Sequence, residues 1–307
     1  MSFTITEAMV EQYRSNVRML GEQQRALLRP ICEVVSVVGK TFYGERLKGS
    51  EAVTRTSRHG DNPFTPVTHS RRKGTIIDKE WGDYIDEQDT SKVIVDFKGK
   101  YVVLGNQALN RAEDDLIIAA LGGAAYAGEA GGTTVNNYDS GECRVINGDG
   151  TLVAAGSDAS NTTETALTIA KLGLCGELLD EAQLPEGLTR YFIANAYNKW
   201  QLLQTTEVKS ADYNTVKALA HGEVNTFMGF NFIWTERLLT HATDTGCARS
   251  YACVGGAIAL GIGQENTGDL WQDTSKTKSW YCYNKFSKGA TRQEGPAVIE
   301  ILLKKSA

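Results

Sequence analysis

The sequence predicts an α+β fold, and three observations carry that reading. Apolar residues recur at helical spacing in some segments and give way to β-branched and aromatic runs in others. The middle of the chain reads helix, strand, helix, helix, and is followed by strands to the C-terminus. With 307 residues, 41% apolar and 22% charged, the chain is long enough for one elaborated domain or two intimate ones. No repeat of solenoid size and no Pro/Ser-rich linker divides it.

Residues 4–29 read as an amphipathic helix. Thr4 and Glu7 form a capping-box pattern, and Val10, Tyr13, Val17, Leu20 and Leu27 share one stripe before Pro30. From Ile31, the run Val34, Val35, Val37, Val38, Thr41, Phe42 and Tyr43 argues for extended chain. Gly44 to Glu80 then reads as a long hairpin with turn signals at Gly49, at Gly60 to Pro63 and at Gly74. It carries Arg46, Lys48, Arg55, Arg58, Arg71, Arg72, Lys73 and Lys79 against five acids, a net charge of +3. Trp81 to Asp96 reverses the sign, with Asp83, Asp86, Glu87, Asp89 and Asp96 against Lys92, a net charge of −4. A two-stranded ribbon of this length is marginal alone in water, so the hairpin is expected to need support from outside itself.

A long helix is predicted over Lys98 to Leu121, from Tyr101, Leu104, Ala108, Ala112, Leu116 and Ala119, with Gly122-Gly123 loosening its end. Glycine-rich 128–150 reads as loop with a short β excursion and turns at Asn147-Gly148 and Asp149-Gly150. A second helix is expected from a cap at Asn161 or Thr162 through Leu167, Ala170, Leu174, Leu178 and Ala182 to Pro185. Strand 190–194 and helices 196–204 and 213–220 come next. Residues 227–235, 251–261, 279–289 and 297–303 read as strands, and 263–278 as loop.

Composition excludes several classes of function. A net charge of −5 lacks the footprint of a dedicated nucleic-acid or membrane-surface binder. The longest apolar run, Leu116 to Ala127, is too short to span a bilayer. The charged N-terminal pattern is not a secretory signal, so a cytoplasmic start is expected, and Asn161-Thr162-Thr163 is a chance sequon. The six cysteines form no C-x-x-C pair and are expected to be free and mostly buried.

Catalytic and cofactor motifs fail one by one. Gly44 to Gly49 runs into Ser50 where a P-loop needs Lys. Gly261-Ile262-Gly263 begins a dinucleotide fingerprint, but Asn266 replaces its third glycine. No G-x-S-x-G or H-E-x-x-H occurs, and His59, His69, His221 and His241 have no metal-ligand spacing and read as surface or capping residues. Neither a catalytic residue, a cofactor nor a metal is expected. Glu113-Asp114-Asp115 is expected on a solvated or intersubunit face, because residues 100° apart on a helix cannot share one target. Arg46, Arg58, Arg71, Arg72 and Lys73 are candidates to meet Asp83, Asp86, Glu87 and Asp89 of another copy.

Four patterns occurring in order carry a resemblance. They are Thr65-Pro66-Val67-Thr68-His69-Ser70-Arg71-Arg72, then Asn110 through Ala120, then Thr206 through Phe230 with Ser210-Ala211-Asp212-Tyr213, Gly222-Glu223-Val224-Asn225 and Phe227-Met228-Gly229-Phe230, then Gly289-Ala290-Thr291-Arg292. With them the chain resembles tailed-bacteriophage major capsid proteins of the Hong Kong 97-type fold over nearly its whole length. The resemblance implies an N-terminal arm at 1–38 and an extended β-hairpin loop at 39–96. It further implies a peripheral domain with a long spine helix at 97–160 and 284–307, and an axial domain at 161–283.

It also implies self-assembly as hexamers and pentamers into an icosahedral shell around double-stranded DNA contacted non-specifically, with a portal protein as partner. The resemblance implies no membrane partner and places the protein in the virion after assembly in the host cytoplasm. About 38 residues before the first strand are too few for a scaffolding domain, so a separate scaffolding protein is expected. The covalent crosslinking of some proteins with this fold is not implied, since no sequence motif fixes a lysine, an asparagine and an acid in register. The alternative is a soluble α+β enzyme with an unrecognised site, which would elute as a small oligomer rather than as megadalton particles.

Overall fold

The computed structural model describes residues 23–47, 49–58, 60, 62, 64–86, 98–139, 142–159, 163–185, 187–204, 226–243 and 245–306. The helix expected at 4–29 lies outside them up to residue 22. Residues 23–28 are not helical, and Arg29–Ile31 is a 3-10 turn with Pro30 inside it.

The strands in chain order are β1 Cys32–Ser36, β2 Thr41–Leu47, β3 His69–Thr75 and β4 Ile77–Ile85. Helix α1, Lys98–Gly122, is followed by β5 Ala125–Ala127, β6 Thr133–Val135 and β7 Arg144–Ile146. Then come α2 Ile169–Glu181, β8 Arg190–Ala194, α3 Ala196–Gln204, β9 Thr226–Phe227 and β10 Phe230–Trp234. The chain closes with β11 Cys247–Val254, β12 Ile258–Asp273, β13 Ser279–Arg292 and β14 Val298–Lys304.

Three sheets form, in the orders β1-β12-β13-β4, β7-β14-β11-β8-β10-β9 and β2-β3-β5-β6. The six-stranded sheet holds the main core. Its strand β11 is buried along nearly its whole length, and Phe192, Tyr251, Ile299 and Ile301 pack with Leu172, Leu178 and Leu179 of α2 and Leu202 of α3. Ile117, Ile118 and Leu121 bring the last turns of α1 into the same core. Farther toward its N-terminus α1 lies on β12, β13 and β4. The close approach needs Gly105, where a Cβ would fall 2.5 Å from the Trp81 ring and 1.9 Å from Asn284 Nδ2.

The C-terminal carbonyls of α1 would be orphaned without partners. Arg292 Nη1 donates to Leu121 O at 3.1 Å and Gly123 O at 2.8 Å, and Arg249 Nη2 donates to Gly122 O at 2.9 Å. Two guanidinium groups thus meet the negative end of the helix dipole.

Several expectations are corrected. The extended run after Ile31 is two strands, broken where Gly39 takes φ +113°. Gly74 is not a turn but lies within β3, against the Phe42 ring. Residues 32–36, expected in the arm, form β1, which pairs in parallel with β12. β4, expected in the extended loop, pairs with β13 from Lys288↔Ile77 to Trp280↔Ile85. Residues 263–278, expected as loop, mostly extend β12 along β13 and place 258–273 beside α1 rather than with the six-stranded sheet. β14, expected beside the spine helix, is antiparallel to β11 in the six-stranded sheet. α2 starts at Ile169, not near 161, because Thr168 is its cap and accepts from Lys171 N. The expected helix 213–220 lies outside the described residues. All six cysteines are free, five of them buried.

The acidic run on α1 is the largest correction. Glu113 and Asp114 are buried, not solvated. Asp114 accepts from Leu27 N at 3.1 Å and Leu28 N at 3.0 Å, which docks the chain entering β1. Asp115 holds Arg237 through Nε at 2.7 Å and Nη2 at 2.5 Å. Glu113 reaches Lys288 of β13. The 100° rotation between successive residues does separate their targets, but each target is an element of the same chain.

A buried lysine gives this body a pH dependence. Lys171 Nζ donates to three carbonyls, Gly148 O at 2.9 Å, Thr165 O at 3.2 Å and Leu302 O at 3.4 Å. Burial pushes its pKa down from 10.5 to about 8, against the opposing influence of Cys247, Asp149 and Cys175. Between those two values the unfolded chain binds more protons than the folded one, so this group makes stability rise with pH across that window. The slope of the urea midpoint against pH, measured from pH 8 to pH 10, should be more positive for the wild type than for Lys171→Met, because the buried cysteines oppose the lysine equally in both; equal slopes would contradict the assignment.

Candidate intersubunit surface

β2 and β3 pair in antiparallel register from Thr41↔Thr75 to Leu47↔His69, and the ladder stops there. The base of this hairpin is anchored in its own chain. β3 also pairs with β5 through Arg72↔Ala127 and Lys73↔Tyr126, and Phe42 packs with Val37 and Ala259. Beyond the ladder, residues 49–58, 60, 62 and 64–68 are all exposed, with Phe64 at 88%. The unsupported part is therefore the distal loop and not the whole of 44–80.

The candidate cations divide by strand face. Arg72 points inward, 4% exposed, and its Nη2 is ion-paired with Glu142. Glu142 is also 3.7 Å from Arg292. Arg72, expected to meet another copy, is buried and paired within its own chain. Arg46 is half-buried, and burial together with the nearby Arg72 charge lowers its pKa. Arg71 points outward: Nη2 is 2.9 Å from Glu45 Oε1, and the guanidinium sits 5.3 Å from the Tyr43 ring centroid. Lys73 Nζ donates to Ala130 O at 3.3 Å, and Arg58 is exposed on the distal loop.

The acidic candidates lie elsewhere. Asp83 and Asp86 are exposed near the end of β4, the edge strand of its sheet. At about 3.4 Å per residue, Asp86 is roughly 30 Å along that strand from its start beside β3. Glu87 and Asp89 lie outside the described residues. The structure does not bring the basic and acidic sets together within one chain.

Sequence reasoning missed an aromatic patch at this acidic end. Tyr84 and Tyr281 have ring centroids 4.4 Å apart, and Trp271 lies 5.0 Å from Tyr281 and 5.7 Å from Tyr283. Tyr84 and Trp271 are exposed large side chains. The i, i+2 spacing of Tyr281 and Tyr283 was the available signal, since alternate strand residues share a face. His241, expected at the surface, is buried with Asp158 3.8 Å away; His69 is exposed, and His59 and His221 lie outside the described residues.

Among the described residues, no three His, Cys, Asp or Glu side chains gather to hold a metal, and no helix is long and apolar enough to cross a membrane. A folded body with an exposed loop and a separate acidic, aromatic sheet end is an architecture suited to assembly. Comparison with known proteins agrees. The capsid of cyanophage P-SCSP1u is 16% identical and superposes with a TM-score of 0.73 over 99% of this chain and 96% of that one. The capsid of cyanophage Pam1 is 14% identical, TM-score 0.70, over 100% and 99% of the two chains. The capsid of Ralstonia phage GP4 is 11% identical, TM-score 0.69, over 100% and 99%. A search of curated proteins finds no match. The family model described as phage capsid protein matches residues 5–305, and the chain belongs to that family. Its fold is the Hong Kong 97 type, and it is a major capsid protein whose copies form the shell of the virion.

Proposed function

We propose that the distal loop of one copy lies across the acidic, aromatic end of the β4-β13-β12 sheet of the next. The observation that carries this reading is the end of the β2–β3 ladder at Leu47↔His69, with every described residue from 49 to 68 exposed beyond it. Arg58 and Arg71 meet Asp83 and Asp86, while Phe64 adds apolar contact with Tyr84 and Trp271. Donor and acceptor surfaces differ, so the contact is heterologous and closes rings such as hexamers and pentamers. Each contact is modest, but a subunit held by many neighbours is held firmly.

In this reading the arm precedes β1, and the extended loop is β2–β3 with residues 48–68. The peripheral part is α1 with β1, β4, β12 and β13. The axial part is the six-stranded sheet with α2 and α3. The protein performs no catalysis on other molecules, is assembled in the host cytoplasm with a separately encoded scaffolding protein and a portal, and contacts packaged double-stranded DNA non-specifically.

The test is charge reversal. Arg58→Glu with Arg71→Glu should reduce the yield of closed shells in negative-stain micrographs, and Asp83→Lys with Asp86→Lys should restore part of it. Wild-type yields from the first pair would count against the contact.

A further inference from the structure

Three arginines from three separate segments line one open groove of about 890 Å³ on the body: Arg25 from the chain entering β1, Arg111 from α1 and Arg237 after β10. Glu236 is the one acid in that lining, and its Oε1 accepts from Ala196 N at 2.7 Å, at the start of α3. Arg237 is already paired with Asp115, so Arg25 and Arg111 carry the positive surplus, and Arg25 is exposed. Three other cavities among the described residues are acidic or balanced. One holds Asp139, Glu142 and Glu181 against Arg144, one holds Asp180 against Arg190, and one holds Glu45 and Glu129 against Arg71. On a chain whose net charge is −5, the groove is a local reversal of sign.

The walls of the groove are fixed in advance by α1. Asn110 Nδ2 donates to Gln24 O at 2.8 Å, Asp114 accepts from the Leu27 and Leu28 amides, and Asp115 holds Arg237. Asp114 is buried in doing so, and its charge acts beneath the groove rather than in it. Trp234 forms part of the wall, with its ring stacked on Phe232 at a centroid distance of 5.1 Å and Lys199 Nζ 6.0 Å from its centroid. That ring is engaged within the chain and does not offer a stacking platform to an unpaired base.

Arginines and a side-chain amide without a base-stacking surface suit the phosphates of a duplex, which accept hydrogen bonds regardless of sequence. We infer that this groove contacts the phosphate backbone of packaged double-stranded DNA, which makes its side of the subunit the inner face of the shell. The inference rests on the reading above that the shell encloses such DNA. Arg25 and Arg111 hold the phosphates, the exposed Gln24 donates to their oxygens, and Arg237 fixes the wall through Asp115. One groove neutralises about two phosphates, so a single contact is weak and sensitive to salt. The copies in a shell repeat it many times, and the DNA is held near the wall without being locked in register.

Arginine footprinting with a dicarbonyl reagent tests this on DNA-filled particles, on the same particles after DNA release, and on free subunits. Arg25 and Arg111 should react several-fold more slowly in filled particles than in emptied ones, while Arg58 on the distal loop reacts equally in both. Protection of Arg25 and Arg111 that is absent in free subunits but persists in emptied particles would mean that protein covers the groove, and would overturn the inference. DNA-dependent protection of other arginines alone would overturn it too, while leaving the DNA contact itself standing. No DNA-dependent change at any arginine would overturn both the inference and the reading on which it rests.

Discussion

Arg72→Glu is expected to prevent the subunit from folding stably, while Arg71→Glu, one residue away, leaves the fold intact and impairs only assembly. The difference comes from the strand face. Arg72 is 4% exposed and paired with Glu142, itself buried, so reversal places two carboxylates together away from water. Removing one partner of a buried pair costs about 3–5 kcal/mol, and reversal costs more. That is a large part of the roughly 5–15 kcal/mol that holds a domain together. Arg71 has a side chain 37% exposed and pairs with Glu45, which is more exposed still. A pair of that kind contributes about 0–1 kcal/mol. Urea midpoints of isolated subunits separate the two cases. Equal midpoints for the two variants would contradict the assignment of faces, and partial recovery of Arg72→Glu by Glu142→Arg would support it.

Excising residues 48–68 and joining Leu47 to His69 through Asn-Gly should give a subunit that folds at least as well as the wild type and forms no closed shells. The described residues removed are exposed, so little buried area is lost. An Asn-Gly link suits a tight hairpin closing the Leu47↔His69 pair. Shortening the loop from about 20 residues to two relieves roughly 2 kcal/mol of closure entropy. Thermal unfolding and electron microscopy of the same preparation give both readouts. Normal shells would show that the loop is dispensable, and a failure to fold would show that it belongs to the subunit's own core.

Much of the fold was legible where periodicity ran unbroken. α1, β8 and α3 lie almost where their patterns put them, since each carries a continuous signal with a clear stop. Residues 263–278 were not legible as strand. Gln264, Asn266, Gly268 and Gln272 give them a polar look, and the backbone partner that orders them, β13, is supplied by tertiary pairing. The acids of α1 were misread for a related reason. Sequence shows that Glu113, Asp114 and Asp115 point in different directions, but not that Lys288, the Leu27–Leu28 amides and Arg237 wait there.

The candidate surface divides in the same way. Charge counting located the basic hairpin and its acidic sequel. Assigning Arg72 inward and Arg71 outward needed the register of β2, β3 and β5, because two adjacent arginines look alike until the pleat is known. The aromatic patch of Tyr84, Trp271, Tyr281 and Tyr283 is assembled from three strands, two of which are distant from the third in sequence.

The central claim is that the distal loop finds its order on a neighbouring copy. Hydrogen exchange compared between dilute free subunits and closed shells tests it most directly. Amides of residues 49–58 and 64–68 should exchange at near-random-coil rates in the free subunit and be strongly protected in the shell, while β11 stays protected in both. Protection of the loop already present in the free subunit, at the level of β11, would contradict the account.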